Sequence, residues 1–259
     1  MTATLPPPST GCAWVTGASS GIGRALALRL ARDGWRVAAS ARGDVALDDL
    51  AREAAGVPGS IDPMPLDVTD EEGMRAATIA IEARNGPIVL AVLNAGTHLP
   101  ISVATFDPAI FRRLHEVNVM GVVNGIAALL PRMVERRGGH IAVVSSVAGY
   151  RGLPTAAAYG ATKAALINMC EALKFDLDRC GIRLSLVNPG FVKTPLTDEN
   201  PFPMPFLMSA EDAADRLVRG LASGGFEITF PRRFALLLKA LRCLPYRLYF
   251  PILKRATGL

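Results

Sequence analysis

Tyr159 and Lys163 stand four residues apart in the stretch AAAYGATKAALINM, in a chain of 259 residues that holds 4 tyrosines and five lysines. Four residues is about one helical turn, so the phenol and the ammonium share a helix face. A free phenol titrates near ~10 and is a weak acid at neutral pH, but a neighbouring cation favours the phenolate and brings that value down. The pair therefore suits proton transfer to or from an oxygen that gains or loses charge. A structural tyrosine on a core helix is the plain alternative.

A second group of residues suits an anion. The apolar run CAWVT leads into TGASSGIGRAL, where Gly17, Gly21 and Gly23 open a helical pattern. Glycines let the backbone turn tightly and approach a pyrophosphate, whose charge then sits at the positive helix N-terminus. The candidate cradle comprises Gly17, Ser19, Ser20, Gly21, Ile22 and Gly23, spaced GxxxGxG rather than GxGxxG. A glycine-rich turn without a ligand is the alternative.

Both groups need a scaffold that brings them together. Short apolar runs alternate with helical patterns along the chain: CAWVT, RVAASA, a strand ending in PLDV, IVLAVLNAG, HIAVVSS, IRLSLVNPG and FEITF, with helices between them. This rhythm predicts an α/β fold, about seven parallel strands with helices on both faces. Residues 1–10 read as a disordered lead-in, 11–230 as one domain and 231–259 as a basic amphipathic tail.

Composition narrows the function further. Cys12, Cys170, Cys180 and Cys243 show no CxxC spacing, so neither metal nor disulfide is expected. The start MTATLPPPSTG lacks the pattern of a signal peptide, which suggests a cytoplasmic protein. Residues 85–106 carry no formal charge, but Pro87, Asn94, Gly96 and Pro100 interrupt them, and they read as strand plus loop. The net charge of +5 is concentrated at the end, where Arg232, Arg233, Lys239, Arg242, Arg247, Lys254 and Arg255 follow the last acid, Glu227. Basicity confined to a tail does not point to nucleic acid.

TGASSGIG, NAG at 94–96, NVMG at 118–121, VSSVAG at 144–149, YGATK at 159–163 and NPGFVKT at 188–194 follow one another in this sequence. In order and spacing they resemble the short-chain dehydrogenases/reductases, over residues 11 to about 230. The resemblance implies a Rossmann-like doubly wound sheet and an oxidoreductase that moves hydride between a nicotinamide and a carbonyl or secondary alcohol. It makes Tyr159 the general acid/base, Lys163 its electrostatic partner and ribose ligand, and Ser146, thirteen residues before the tyrosine, the donor to the substrate oxygen. Asn118 would support a water-mediated proton path to Lys163, or else serve as a packing residue in a helix.

Further cofactor contacts follow from the same resemblance. Asp67 and Val68 would meet the adenine, although Asp67 also suits a helix N-cap. Asn94, Ala95 and Gly96 would border the cofactor, with Asn94 partly structural. Pro189 and Gly190 would lie near the nicotinamide, with Val192 and Thr194 at its carboxamide. Where an acid would receive a ribose hydroxyl the chain has Ala41, followed by Arg42, which favours NADP over NAD. His98, His115 and His140 find no partner in the sequence and read as structural or surface groups.

Residues 195–208, PLTDENPFPMPFLM, would form a flap over the substrate. Pro201, Pro203 and Pro205 prevent a regular helix, and Phe202, Met204, Phe206, Leu207 and Met208 suggest an apolar pocket. In the tail, Phe234, Leu237, Leu241 and Leu244 fall on one side of a helix and Arg232, Lys239 and Arg242 on the other, with Pro245 as its stop. That face suits either an anionic membrane surface or packing against the protein. The resemblance implies a homodimer or homotetramer through helices near 122–137 and 156–178. A catalytically silent NADP(H) sensor or membrane-associated interaction protein is the alternative function.

Overall fold

The computed structural model describes residues 5–198 and 204–258. Seven strands form one parallel sheet: β1 (Cys12–Thr16), β2 (Arg36–Ala41), β3 (Ser60–Pro65), β4 (Ile88–Leu93), β5 (His140–Val144), β6 (Arg183–Pro189) and β7 (Glu227–Phe230). Their spatial order is β3-β2-β1-β4-β5-β6-β7, so the chain direction across the sheet reverses between β1 and β4. Ligands of open α/β sheets bind at such a reversal, beyond the carboxyl ends of the strands.

The helices are α1 (Gly21–Arg32), α2 (Asp44–Glu53), α3 (Glu71–Asn85), α4 (Pro108–His115), α5 (Gly121–Arg136), α6 (Ala157–Arg179), α7 (Pro195–Asp198), α8 (Ala210–Ser223), α9 (Arg232–Arg242) and α10 (Tyr246–Thr257). They cover both faces because the buried strands alternate inward residues of two apolar layers. In β1, Cys12 and Trp14 face a layer with Met74, Leu129, Met133 and Leu166, while Ala13 and Val15 face one with Leu26, Leu30, Leu50 and Leu217.

Several boundaries differ from expectation. β3 ends at Pro65, before the LDV of the expected strand. The long helix expected around Asn118 is in fact three pieces: α4, a π-helical turn over Glu116–Met120, and α5. Asp107 starts this run by accepting a hydrogen bond from the Ala109 amide. The stretch Pro108–Arg136 is long and apolar enough to cross a membrane, but Leu129 and Met133 within it are buried against the sheet. Of the lead-in expected to be disordered, residues 5–10 are placed, with a 3-10 turn over Pro8–Thr10 and Leu5 against the second apolar layer.

The tail folds back onto the domain. Phe234, Ala235 and Leu238 of α9 are buried in the first apolar layer and Leu241 packs against it. Leu237, expected on this face, is 53% exposed. The docked stripe is 234/235/238/241, which keeps Phe234 and Leu241 from the expected face and replaces Leu237 by Ala235 and Leu238. Leu238→Ala should therefore lower unfolding free energy by about 2–3 kcal/mol, whereas Leu237→Ala should stay within about 0.5 kcal/mol of the parent in denaturant titrations.

Candidate active site

Side chains from five segments meet in one cleft beyond the carboxyl ends of β4, β5 and β6, lined by Ile22, Asn94, Gly96, Ser146, Tyr159, Lys163, Pro189, Gly190, Val192 and Thr194. Most of the residues expected to do chemistry are thus brought together. Gly17, Ser19, Ser20, Gly21, Gly23, Ala95 and Asn118 are not part of this lining, and neither are Arg42, Asp67 and Val68, which lie towards the ends of β2 and β3.

The glycine-rich turn between β1 and α1 leaves no room for side chains. Gly17 has φ +68, and a Cβ on Gly23 would lie 2.2 Å from the Gly17 carbonyl oxygen. Ser20 is extended and precedes α1, whose first turn holds no acid and no side-chain cap. Its orphan N–H groups carry the positive end of the helix dipole. A tight cradle at a positive helix end fits the pyrophosphate of a dinucleotide.

Asn94 fixes this cradle to β4. Its Nδ2 donates to the carbonyl oxygens of Thr16 (3.0 Å) and Gly17 (3.2 Å), while its own amide donates to Thr16 Oγ1 (3.0 Å). The structural share expected of Asn94 is therefore large. Ala95, partly buried, packs against the first apolar layer and its amide also donates to Thr16 Oγ1.

Lys163 is 3% exposed and its Nζ donates to the Val144 carbonyl oxygen at 2.9 Å. Burial pushes its pKa down to about 8. The Nζ lies 5.6 Å from the centroid of the Tyr159 ring. Burial also pushes the Tyr159 phenol up to about 12, and a hydrogen bond with Ser146 acts in the opposite direction. Ser146 itself caps the 3-10 turn Val147–Gly149 by accepting from the Ala148 amide at 3.1 Å, which leaves its hydroxyl proton for another acceptor. Ser145 is buried, and its Oγ donates to the Lys163 carbonyl oxygen at 2.9 Å, tying the end of β5 to α6.

Asn118 sits fully buried in the π-helical turn. Its Oδ1 accepts from the Thr97 amide (2.7 Å), and its Nδ2 donates to the Thr97 carbonyl oxygen (2.9 Å) and Thr162 Oγ1 (3.1 Å). The helical irregularity is what aims this side chain at the loop after β4 rather than along the helix surface. Asn118 and the Lys163 ammonium approach Gly96 from two sides, 3.3 and 3.6 Å from where a Cβ would be.

Asp67 does not cap α3. Asp70 does, accepting from the Gly73 amide, while Asp67 closes a turn onto the Thr69 amide (3.0 Å) and hydroxyl (2.9 Å). The Thr69 amide holds the Asp67 carboxyl below its usual value against the cost of burial, helped by the Thr69 hydroxyl and the charge of Arg42. The buried Val68 offers its carbonyl oxygen to Asn124 Nδ2 at 3.0 Å. Beyond β6, Val192 pairs with Met208, and Thr197 donates to the Val192 carbonyl oxygen. Just before α7 the Thr194 amide donates to Thr197 Oγ1, and Thr194 also lines the cleft. Phe206 and Leu207 of the expected flap are exposed; Phe202, Pro201 and Pro203 lie outside the described residues.

His98, read from sequence as structural or surface, instead meets Tyr159 edge to face with ring centroids 4.7 Å apart. Its position four residues after Asn94, in the same loop, was the available signal.

The short chain dehydrogenase family matches residues 11–202. The chain belongs to this family. As a short-chain dehydrogenase/reductase it is an oxidoreductase acting on CH–OH or C=O groups, with a nicotinamide cofactor. It is 41% identical over 237 residues to an uncharacterized oxidoreductase of Myxococcus xanthus, covering 92% of this chain and 94% of the relative. A 3-ketoacyl-ACP reductase of Sinorhizobium meliloti superposes with a TM-score of 0.78 at 31% identity, covering 87% of this chain and 99% of that one. A short-chain dehydrogenase of Sphingobium yanoikuyae, solved in complex with NADPH, gives 0.77 at 27% identity, covering 88% and 92%.

The depressed pKa of Lys163 has a thermodynamic consequence. Between about 8 and its unfolded value of 10.5, the unfolded chain holds a proton that the folded protein lacks, so this residue's penalty is full below about 8 and gone above 10.5. Lys163→Met should raise the stability of the cofactor-free protein at pH 7 by about 2 kcal/mol. The advantage should fade as pH rises through that window, measured by urea titration at several pH values.

Proposed function

We propose that this short-chain dehydrogenase/reductase is an NADP-dependent enzyme that interconverts a hydrophobic carbonyl compound and its secondary alcohol, with Tyr159 as general acid/base. The observation that carries the reading is the convergence of Ser146, Tyr159 and Lys163 in one cleft that Ile22 of the glycine-rich turn also lines. A bound nicotinamide supplies or accepts the hydride. The Ser146 hydroxyl, its lone pair occupied by the Ala148 amide, donates to the substrate oxygen. Tyr159 delivers its proton to that oxygen as negative charge develops there, and takes it back in the reverse direction. Burial holds the free phenol near 12 against the Ser146 hydrogen bond; the Lys163 ammonium, 5.6 Å from the ring centroid, favours the phenolate left behind. Asn118, through Thr97 and Thr162, holds the loop after β4 and α6 in register around this pair.

NADP is favoured because β2 ends in Ala41 rather than in an acid, and the exposed Arg42 follows it. The NADPH complex of the Sphingobium yanoikuyae relative supports the same preference. The apolar character of the substrate rests on Phe206 and Leu207, and on relatives named for 3-oxoacyl-[acyl-carrier-protein] reduction. Exposed Val134 on α5 and Phe175 on α6 support pairing of subunits through these helices.

Carbonyl-dependent oxidation of NADPH should be measurable, and Tyr159→Phe should reduce its kcat by about 100- to 10,000-fold. Tight NADPH binding with no turnover across a panel of ketones and alcohols would make the chain a sensor instead. Separately, Arg42→Ala should weaken NADPH by about 10- to 100-fold and NADH little. Equal losses in the two dissociation constants would remove Arg42 from phosphate recognition.

A further inference from the structure

The tail makes three polar or aromatic attachments, and each ends on a segment that borders the cleft. The first centres on Glu227, the first residue of β7. Its Oε1 accepts from Tyr150 Oη (2.7 Å) and Asn188 Nδ2 (2.9 Å), and its Oε2 accepts from Lys239 Nζ of α9. Tyr150 ends the turn that Ser146 begins, and Asn188 immediately precedes Pro189 and Gly190. One carboxylate therefore joins α9 to two cleft segments. Burial raises its pKa, but the Lys239, Tyr150 and Asn188 hydrogen bonds outweigh that and keep it ionised.

The second attachment is Arg151. Its Nη1 lies 2.7 Å from the carbonyl oxygens of Leu241 and Leu244 and 3.0 Å from that of Arg242, where it satisfies the open end of α9. The guanidinium lies 3.9 Å from the ring centroid of Tyr249 and 4.8 Å from that of Tyr246, both on α10. Tyr249 Oη in turn donates to the Gly152 carbonyl oxygen at 2.5 Å. Arg151 and Gly152 lie in the chain between Ser146 and Tyr159.

The third is Phe234. A Cβ on Gly190 would be 3.0 Å from its Cδ1, and its ring is 5.5 Å from that of Phe191 and 5.9 Å from that of Phe206. No residue of α9 or α10 lines the cleft itself.

We propose that the C-terminal helical pair is a positioning element of the active site, in which Arg151, Glu227 and Phe234 clamp it to the segments carrying Ser146, Pro189–Gly190 and Phe206. A helix pair that served only to cover the sheet would be held by its apolar stripe. Here the hydrogen-bonding and ring contacts end on chain segments next to the cleft residues Ser146, Pro189 and Gly190. The pair acts through those segments and touches no reacting atom. The kinetic part of this proposal rests on the oxidoreductase reading above.

The test uses the full-length protein with Arg151→Ala. Carbonyl KM should rise about ten-fold or kcat fall comparably, because small displacements of substrate-positioning groups are costly, while the NADPH dissociation constant stays unchanged. Hydrogen exchange should quicken in residues 147–153 and 204–208 and not in β1 or α1. Phe234→Leu, which keeps an apolar side chain, should give the same rise in KM and serves if Arg151→Ala fails to fold. A lower melting temperature with unchanged KM, kcat and exchange in 147–153 would overturn the proposal and leave the tail as packing. If the parent protein turns over no carbonyl, the oxidoreductase reading fails, and the exchange measurement still decides the coupling.

Discussion

An ammonium group held almost entirely out of water is the constraint around which the cleft is arranged. Lys163 is buried to 3% exposure, and a charge in that position costs several kcal/mol unless polar groups replace its hydration. The Val144 carbonyl oxygen at the end of β5 takes one N–H. Ser145 fixes the backbone of the same residue, and the π-helical turn sets Asn118 against Thr162, its neighbour in α6. A sheet of parallel strands buried on both faces provides the stiffness that keeps these groups in place. Stability is given up locally at Lys163, a pattern expected at functional sites.

Much of this was legible in the sequence because it is local. Short apolar runs and period-3.6 patterns marked the seven strands and most helices, and EEGMRAATIAIEARN coincides with α3. The glycine-rich turn and the Tyr159/Lys163 pair were visible for the same reason, since each is defined within a few residues. What stayed hidden depends on contacts distant in sequence. Nothing near Glu227 announces that Tyr150 and Asn188 will share its carboxylate. Nothing near Arg151 marks the end of α9, about ninety residues away, as its acceptor set. A helical wheel could place Leu237 and Leu238 on adjacent faces of α9, but only packing against the first apolar layer chooses between them. Asp67 and Asp70 are equivalent cap candidates by composition, and geometry at the end of β3 separates them.

The helix interruption at Asn118 shows how little periodicity says about function. An extra residue per turn is a small change in sequence terms and leaves the apolar pattern of Pro108–Arg136 intact. In three dimensions the asparagine within it links the loop after β4 to α6. The same loop brings His98 onto the Tyr159 ring.

The outer margin of the sheet carries a different kind of information. In β3 the amide of Ser60 donates inward to the Trp35 carbonyl oxygen, as does that of Leu66, just beyond the strand, to Ala41. Even-numbered N–H groups therefore point to β2, and Pro63 and Pro65 occupy positions whose N–H would point away from the sheet. The open side thus lacks two donors that an incoming strand from another chain would need. At the opposite margin β7 is only 4 residues long. Both borders are poor templates for strand addition, so this sheet is built to stop at seven and to resist the edge-to-edge growth that leads to aggregation.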